Sequence, residues 1–220
     1  MKSCNLIVMA VNVDTCSIIH HDSRVIVLNK PSGLLSVPGK GPLLKDCLAR
    51  RVQKQCPTAL IVHRLDRDTS GLIVMALDPQ AQRSLSRQFE TRTVEKRYEC
   101  IVEGHPEADE GMIDLPIARD SLRPPRYRIH DLFGRPSQTH WQVLERYATS
   151  TRIAVKPITG RSHQIRLHLA TLGHAILGDP LYACTTIQTA ATRLLLHATF
   201  LQVHHPDDER KIAWQTPCPF

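Results

Sequence analysis

An α+β fold on one mixed, mostly antiparallel sheet is what the sequence predicts, and three observations carry the prediction. Short apolar or alternating runs of strand length recur from Ser17 to His204. Only three stretches show helical spacing. The two kinds are interleaved without the regular strand–helix rhythm of a parallel sheet. At 220 residues the chain can hold one large core or two small ones, and no linker, repeat or low-complexity stretch divides it.

Taken in order, residues 1–16 read as an N-terminal arm or first strand, and residues 17–220 as a single domain. Ser17–His20 and Val25–Leu28 read as two strands joined by the polar turn His21-Asp22-Ser23-Arg24. Asn29-Lys30-Pro31-Ser32-Gly33 then stops pairing, because proline lacks a donor and glycine allows unusual dihedrals. Pro42 is expected to open a helix with Leu44, Leu48 and Val52 on one face. Ile61-Val62 and Leu72–Ala76 are strand-like and flank a charged turn, His63–Gly71. Asp78 as N-cap and Pro79 at the first helical position start a second helix that buries Leu85 and Phe89. Tyr98–Val102 is a strand. Residues 104–140, rich in Gly, Pro and charge, suggest loops and short strands, and strand character returns from Trp141 to Val155. Ile165, Leu169 and Leu172 mark a third helix, ended by Gly173, and Phe200–His204 alternates as a last strand.

Composition narrows the function classes. The formal net charge is +7 with a pI near 9.2, which favours a polyanionic partner. The excess is uneven: Arg83–Arg97 holds five basic residues against Glu90 and Glu95, and Arg119–Arg128 four arginines against Asp120. Seven cysteines with no C-x-x-C pair indicate neither a disulfide framework nor a zinc ribbon. Cys47, Cys56, Cys100 and Cys184 read as small packing residues in a reducing compartment. The apolar run Leu6–Val11 is shorter than a signal-peptide core, and nothing approaches a membrane span, so a cytoplasmic protein is expected.

Two constellations carry chemistry. In His63-Arg64-Leu65-Asp66-Arg67-Asp68-Thr69-Ser70-Gly71, either aspartate can serve as nucleophile or base, and the arginines can hold a carboxylate or a phosphate. The residues alone leave an exposed charged turn equally open. In Lys156–His168, Arg161, His163, Arg166 and His168 crowd around a helix start, which suits an anion or a basic solvent face. There is no Walker loop, no G-x-G-x-x-G and no G-x-S-x-G elbow. The histidines lack metal-ligand spacing, so no metal and no cofactor is expected.

Together these segments resemble the RluA-type pseudouridine synthases, from about Ser17 to the end of the chain. His63-Arg64-Leu65-Asp66 followed by Thr69-Ser70-Gly71 matches the family's active-site signature. Lys96-Arg97-Tyr98 is similar to its tyrosine motif, Gly160–Arg166 to its third motif, and Ile176–Tyr182 continues that motif. Asn29–Gly39 and the short length look closest to the family's dual-specificity branch, which modifies an anticodon-loop uridine of tRNA and a uridine of large-subunit rRNA. Cys100 and Ala175 stand where alanine and proline are common in the family. Too few residues precede Ser17 for the S4-like domain that many relatives carry.

The resemblance implies the pseudouridine synthase fold, and it separates the two aspartates. Asp66 becomes the catalytic carboxylate, Arg166 its ion-pair partner, and Tyr98 the residue that stacks on uracil. Asp68 becomes structural. A base inside a stacked loop must be flipped out to react. Arg64 is then the side chain that fills the vacated space, and His63, Arg161 and His163 are further RNA-binding residues. RNA is the expected partner, with a monomeric protein and no membrane. The rival classes are an rRNA-only synthase, a non-catalytic RNA-binding or ribosome-assembly protein, and a basic hydrolase.

Overall fold

A computed structural model describes residues 12–13 and 16–220. The expected arm at residues 1–16 lies almost entirely outside the described residues; Asn12–Val13 (β1) pairs with Cys16–His21 (β2). Among the described residues, thirteen strands and four α-helices follow one another. Val25–Lys30 (β3) precedes Leu48–Gln55 (α1), Leu60–Ile61 (β4), Ser70–Ala76 (β5) and Pro79–Glu90 (α2). Glu95–Glu103 (β6), Glu110–Asp114 (β7), Ile117–Arg119 (β8) and Tyr127–Ile129 (β9) come next. Gln138–Arg146 (β10), Ser150–Pro157 (β11), Gln164–Thr171 (α3), Thr185–Thr189 (α4), Leu196–His204 (β12) and Lys211–Gln215 (β13) complete the chain.

Eleven strands form one sheet in the order β1-β2-β3-β5-β12-β6-β11-β10-β7, with β4 beside β5 and β13 beside β12. β8 and β9 make a separate two-stranded ribbon. Among the described residues, β5–β12 is the one parallel pairing, so the α+β expectation holds. β12 thus lies at the centre, although it comes from the end of the chain.

The apolar patterns explain the layers. β3 and β5 are buried on both faces, and their runs are therefore continuously apolar rather than alternating. Ile26, Leu28, Ile73 and Met75 face α1, packing with Leu48 and Val52. Val25, Val27, Leu72 and Val74 point the other way, toward Ala81 and Leu85 of α2. A further cluster joins Ile153, Val155 and Cys100 to Ile165 and Leu169 of α3. Asp78 caps α2 by accepting from the backbone N–H groups of Gln80 and Ala81, a contribution of about 1 kcal/mol.

Four local expectations need correction. Pro42 opens only a 3-10 turn, Pro42–Leu44, and the helix starts at Leu48. The N–H groups of Leu48 and Ala49 bond the carbonyls of Leu35 and Ser36, so a distant loop fixes the helix start, and Leu44 is left exposed. Ser70 and Gly71 are not a turn but the first residues of β5. Gly71 has φ +113, and a Cβ there would lie 2.3 Å from the Ala198 carbonyl oxygen, so the close β5–β12 approach demands glycine. Leu172 is exposed beyond the end of α3. Cys184 is exposed rather than packed, whereas Cys56 is half-buried against the core cluster of α1. Among the described residues no helix is long and apolar enough to cross a membrane.

Candidate active site

The segment His63–Thr69 connects β4 to β5, and a second loop straps it down. Ser36 Oγ donates to the Leu65 carbonyl (2.7 Å) and accepts from the Leu65 N–H (3.2 Å). Ser32 Oγ donates to the Asp68 carbonyl (2.6 Å), and the Gly33 N–H to that of Arg67 (2.9 Å). Lys30, fully buried, donates to the carbonyls of Pro31, Leu34 and Arg67 at 2.7–3.0 Å. Burial pulls its ammonium down to about 8, still protonated at neutral pH. Asp66 therefore sits between two residues whose backbones are both anchored. Asn29-Lys30-Pro31-Ser32-Gly33, read in sequence as a strand stop, still pairs as far as Lys30 in β3, and from Lys30 to Ser36 the chain is a brace for this loop.

Asp66 lines a cavity of about 510 Å³ together with Arg64, Tyr98, Arg161, His163 and Arg166. The structure thus brings together the residues that the resemblance assigned to the site, His63 included, and leaves Asp68 and His168 outside the cavity lining. Tyr98 lies on β6, opposite Val155 of β11 and Ala198 of β12, where it bridges two of the core clusters. Burial and the negative charge of Asp66 push its phenol well above the usual range, so it stays neutral. Asp68 instead pairs with Arg67 (3.1 Å).

Arg166, on α3, is 2% exposed, and its tightest partner is one the sequence reading did not assign. Its Nε and Nη2 donate to the two carboxylate oxygens of Asp179, both at 2.7 Å. Nη1 remains, 3.9 Å from Oδ2 of Asp66. Asp179 is fully buried and also accepts from the N–H groups of Leu181 and Tyr182. Burial alone would raise its carboxyl, but the hydrogen bonds and charge of Arg166 hold it below the usual carboxylate range. A buried arginine needs such a partner, but the burial of Arg166 is visible only in the structure.

The remaining residues divide by geometry. His63 stacks on Phe89 (centroids 4.3 Å apart), and its Nε2 accepts from the Val74 N–H (3.1 Å). Burial, aided by nearby Lys96, pushes its imidazole down to about 3. The ring is a neutral wall that fixes the start of the loop. His163 takes a left-handed conformation (φ 56) ahead of α3; its Nδ1 lies 2.8 Å from the Tyr182 hydroxyl, and Tyr127 packs edge-on against it. Gln164 uses its whole amide: Oε1 accepts from Thr159 Oγ1 and Arg161 N–H, and Nε2 donates to Gln138 O and Thr139 Oγ1. It holds the 159–163 loop open over the cavity. His168 is buried against Thr139 and Leu115 and takes no part in the cavity. Arg64 is exposed at the mouth and makes no ion pair among the described residues.

A mostly cationic cavity lined by the carboxylates of Asp66 and Glu90, with aromatic walls and the unpaired Arg64, suits the eversion and rearrangement of one base of a polyanion. The comparisons agree. Residues 24–171 match the family model for RNA pseudouridylate synthase, and the chain belongs to that family. Its reaction is the isomerisation of uridine to pseudouridine in RNA. Among individual relatives, the dual-specificity RNA pseudouridine synthase RluA of Escherichia coli K12 is 46% identical over 204 residues, 92% of this chain and 93% of its own. The Yersinia pestis enzyme of the same name is 48% identical over 191 residues, covering 86% and 93%. Of solved structures, human RNA Pseudouridylate Synthase Domain Containing 1 superposes with a TM-score of 0.80 at 31% identity, covering 94% of this chain and 85% of that one.

Proposed function

We propose that Asp66 is the catalytic carboxylate acting at the ribose of a uridine flipped into the cavity. The bond from C1′ to N1 breaks with its electron pair on uracil, and the base turns. C5 then uses an electron pair of the ring to join C1′, and the C5 proton is lost to water while N1 takes one up, so that no atom is gained or lost overall. The observation that carries this reading is the meeting of Asp66, Tyr98 and buried Arg166 in one cavity, with Nη1 of Arg166 3.9 Å from the carboxylate. Tyr98, a neutral phenol, offers a face for uracil to stack on. Removal of the C5 proton by its phenolate is disfavoured by the burial and charge that raise it. Arg166 is a positioning cation for Asp66. Arg64 fills the space the base leaves, since guanidinium is planar and can stack while binding phosphate. Arg161 and His163 contact the RNA, and His63 supports the loop from behind.

The substrates we assign are the anticodon stem-loop of tRNAs and 23S rRNA, as a cytoplasmic monomer without cofactor or metal. This rests on the 46% identity with a dual-specificity enzyme over nearly the whole chain. With C5-tritiated uridine RNA, Asp66→Asn should bind RNA yet release no tritium. Turnover near wild type would remove Asp66 from the mechanism. Pseudouridine mapping in cells lacking the gene should show losses in both RNA classes; loss from rRNA alone would overturn the dual assignment.

A further inference from the structure

We infer that Arg92, Arg135 and Arg161 form a clamp for one backbone phosphate at the mouth of the catalytic cavity. The inference deepens, and rests on, the reading of the chain as an enzyme acting on RNA. The three residues come from separate parts of the chain and converge. Arg161 precedes α3 and lines the cavity, as does Arg92 from the turn after α2. Arg135, in the segment after β9, lies outside the cavity lining but close enough that its charge, like that of Arg92, acts on Arg161. Each backbone is fixed. Arg92 has φ 62, between Thr91 and Thr93, whose N–H groups bond back to Arg87 and Gln88. Arg135 exchanges both backbone hydrogen bonds with Ile117, at 2.8 and 3.0 Å. The N–H of Arg161 donates to Gln164 Oε1 at 3.0 Å.

Among the described residues no carboxylate pairs with any of the three, although Glu90 lines the same cavity as Arg92 and Arg161. Nε of Arg161 is buried with no hydrogen-bond partner, which is costly unless something completes it. Its guanidinium is disfavoured first by burial and then by the charges of Arg135 and Arg92, so the three cations are close enough to repel. Like charges held together by fixed backbones are relieved by a multiply charged or forked anion. Guanidinium groups match phosphate oxygens in pairs, and an RNA whose base occupies the cavity must carry a phosphodiester past its mouth. The Asp66 carboxylate lies inside the same cavity, so the arrangement separates the site for the reacting sugar from the grip on the strand.

The test uses a stem-loop RNA series in which one loop phosphate at a time is a neutral methylphosphonate. Arg92 and Arg135 are exposed, so Arg92→Gln with Arg135→Gln leaves the core untouched. One methylphosphonate position should weaken binding to the wild-type protein about tenfold. The double variant should bind unmodified RNA about tenfold more weakly, and that same methylphosphonate should then have no further effect. The slope of log affinity against log salt should become shallower by about 0.7 for the lost contact. If every methylphosphonate weakens the variant as it does the wild type, the clamp is wrong. Inorganic phosphate protecting the wild-type and variant proteins equally would also overturn it. Tritium release by the wild-type protein on the unmodified RNA is measured alongside. Its absence would sink the enzymatic reading, whereas its presence with unchanged binding in the variant would sink the clamp alone.

Discussion

Substitution of Asp179 by alanine separates the structural and chemical duties of Arg166. The carboxylate accepts four hydrogen bonds, two from the guanidinium and two from the backbone N–H groups of Leu181 and Tyr182. Asp179 is fully buried and Arg166 is 2% exposed, so water cannot readily replace the lost partner. Asp66, 3.9 Å from Nη1, is the one nearby carboxylate among the described residues seen to approach the guanidinium. Removing one member of a buried pair costs about 3–5 kcal/mol. In a chain of this size each kcal/mol corresponds to roughly 2–4 °C, so Asp179→Ala should melt about 6–20 °C lower. Released from Asp179, Arg166 should turn toward Asp66 and lose its fixed geometry, lowering kcat. The informative companion is Arg166→Met with Asp179→Leu. Apolar replacement of both partners should restore much of the melting temperature, while tritium release stays absent. Differential scanning calorimetry and the release assay read the two effects. A single variant melting within about 2 °C of wild type, or a double variant with near-normal turnover, would refute the argument that this pair positions the site.

Three further outcomes follow from the geometry. The imidazoles of His63 and His197 are held down to about 3 and about 4, against an ordinary value of 6.5, chiefly by burial. Between those values the unfolded chain binds more protons than the folded one, so the stability is complete above about pH 6.5 and is lost as pH falls. The loss is about 2 kcal/mol for each ring by pH 5, and urea midpoints unchanged between pH 7 and 5 would contradict it. Gly71→Ala should cost at least about 3 kcal/mol, because the new Cβ meets Ala198 backbone atoms at 2.3 and 2.4 Å; a soluble variant melting like wild type would disprove the tight β5–β12 contact. Lys30→Met keeps the bulk but frees three carbonyls and loosens the Asp66 loop. A fall in kcat of about a hundredfold with RNA affinity little changed is expected, and an unaltered kcat would show that the brace is dispensable.

What could be read from the sequence was what local chemistry decides. The Asp78-Pro79 start of α2 is visible because a cap acts within three residues, and the runs of β3 and β5 are visible because burial on both faces needs only apolar side chains. The false helix at Pro42 shows the limit, since the start of α1 is set by carbonyls of Leu35 and Ser36 from another loop. The signature residues of the site were legible through resemblance, and the structure does bring them into one cavity. The tightest partner of Arg166 was not legible. Asp179 stood in a quoted motif, but which carboxylate a buried guanidinium chooses depends on where Asp66 and Asp179 lie in space. Lys30 and Gln164 were hidden for the same reason, as Lys30 acts through backbone carbonyls and Gln164 through two hydroxyls and two backbone groups that come together only in the fold.

The central position of β12 has a consequence for how the molecule comes into being. Residues 196–204 fill the gap between β5, which follows the Asp66 loop, and β6, which carries Tyr98. During synthesis, every other part of the site is made before the strand that holds its two halves in register. Such late, long-range pairing gives a high contact order and slow folding. Until it happens, β5 and β6 have open edges that can pair with another chain. A nascent chain lacking β12 should therefore be both inactive and prone to aggregate, so that activity first appears in a complete sheet.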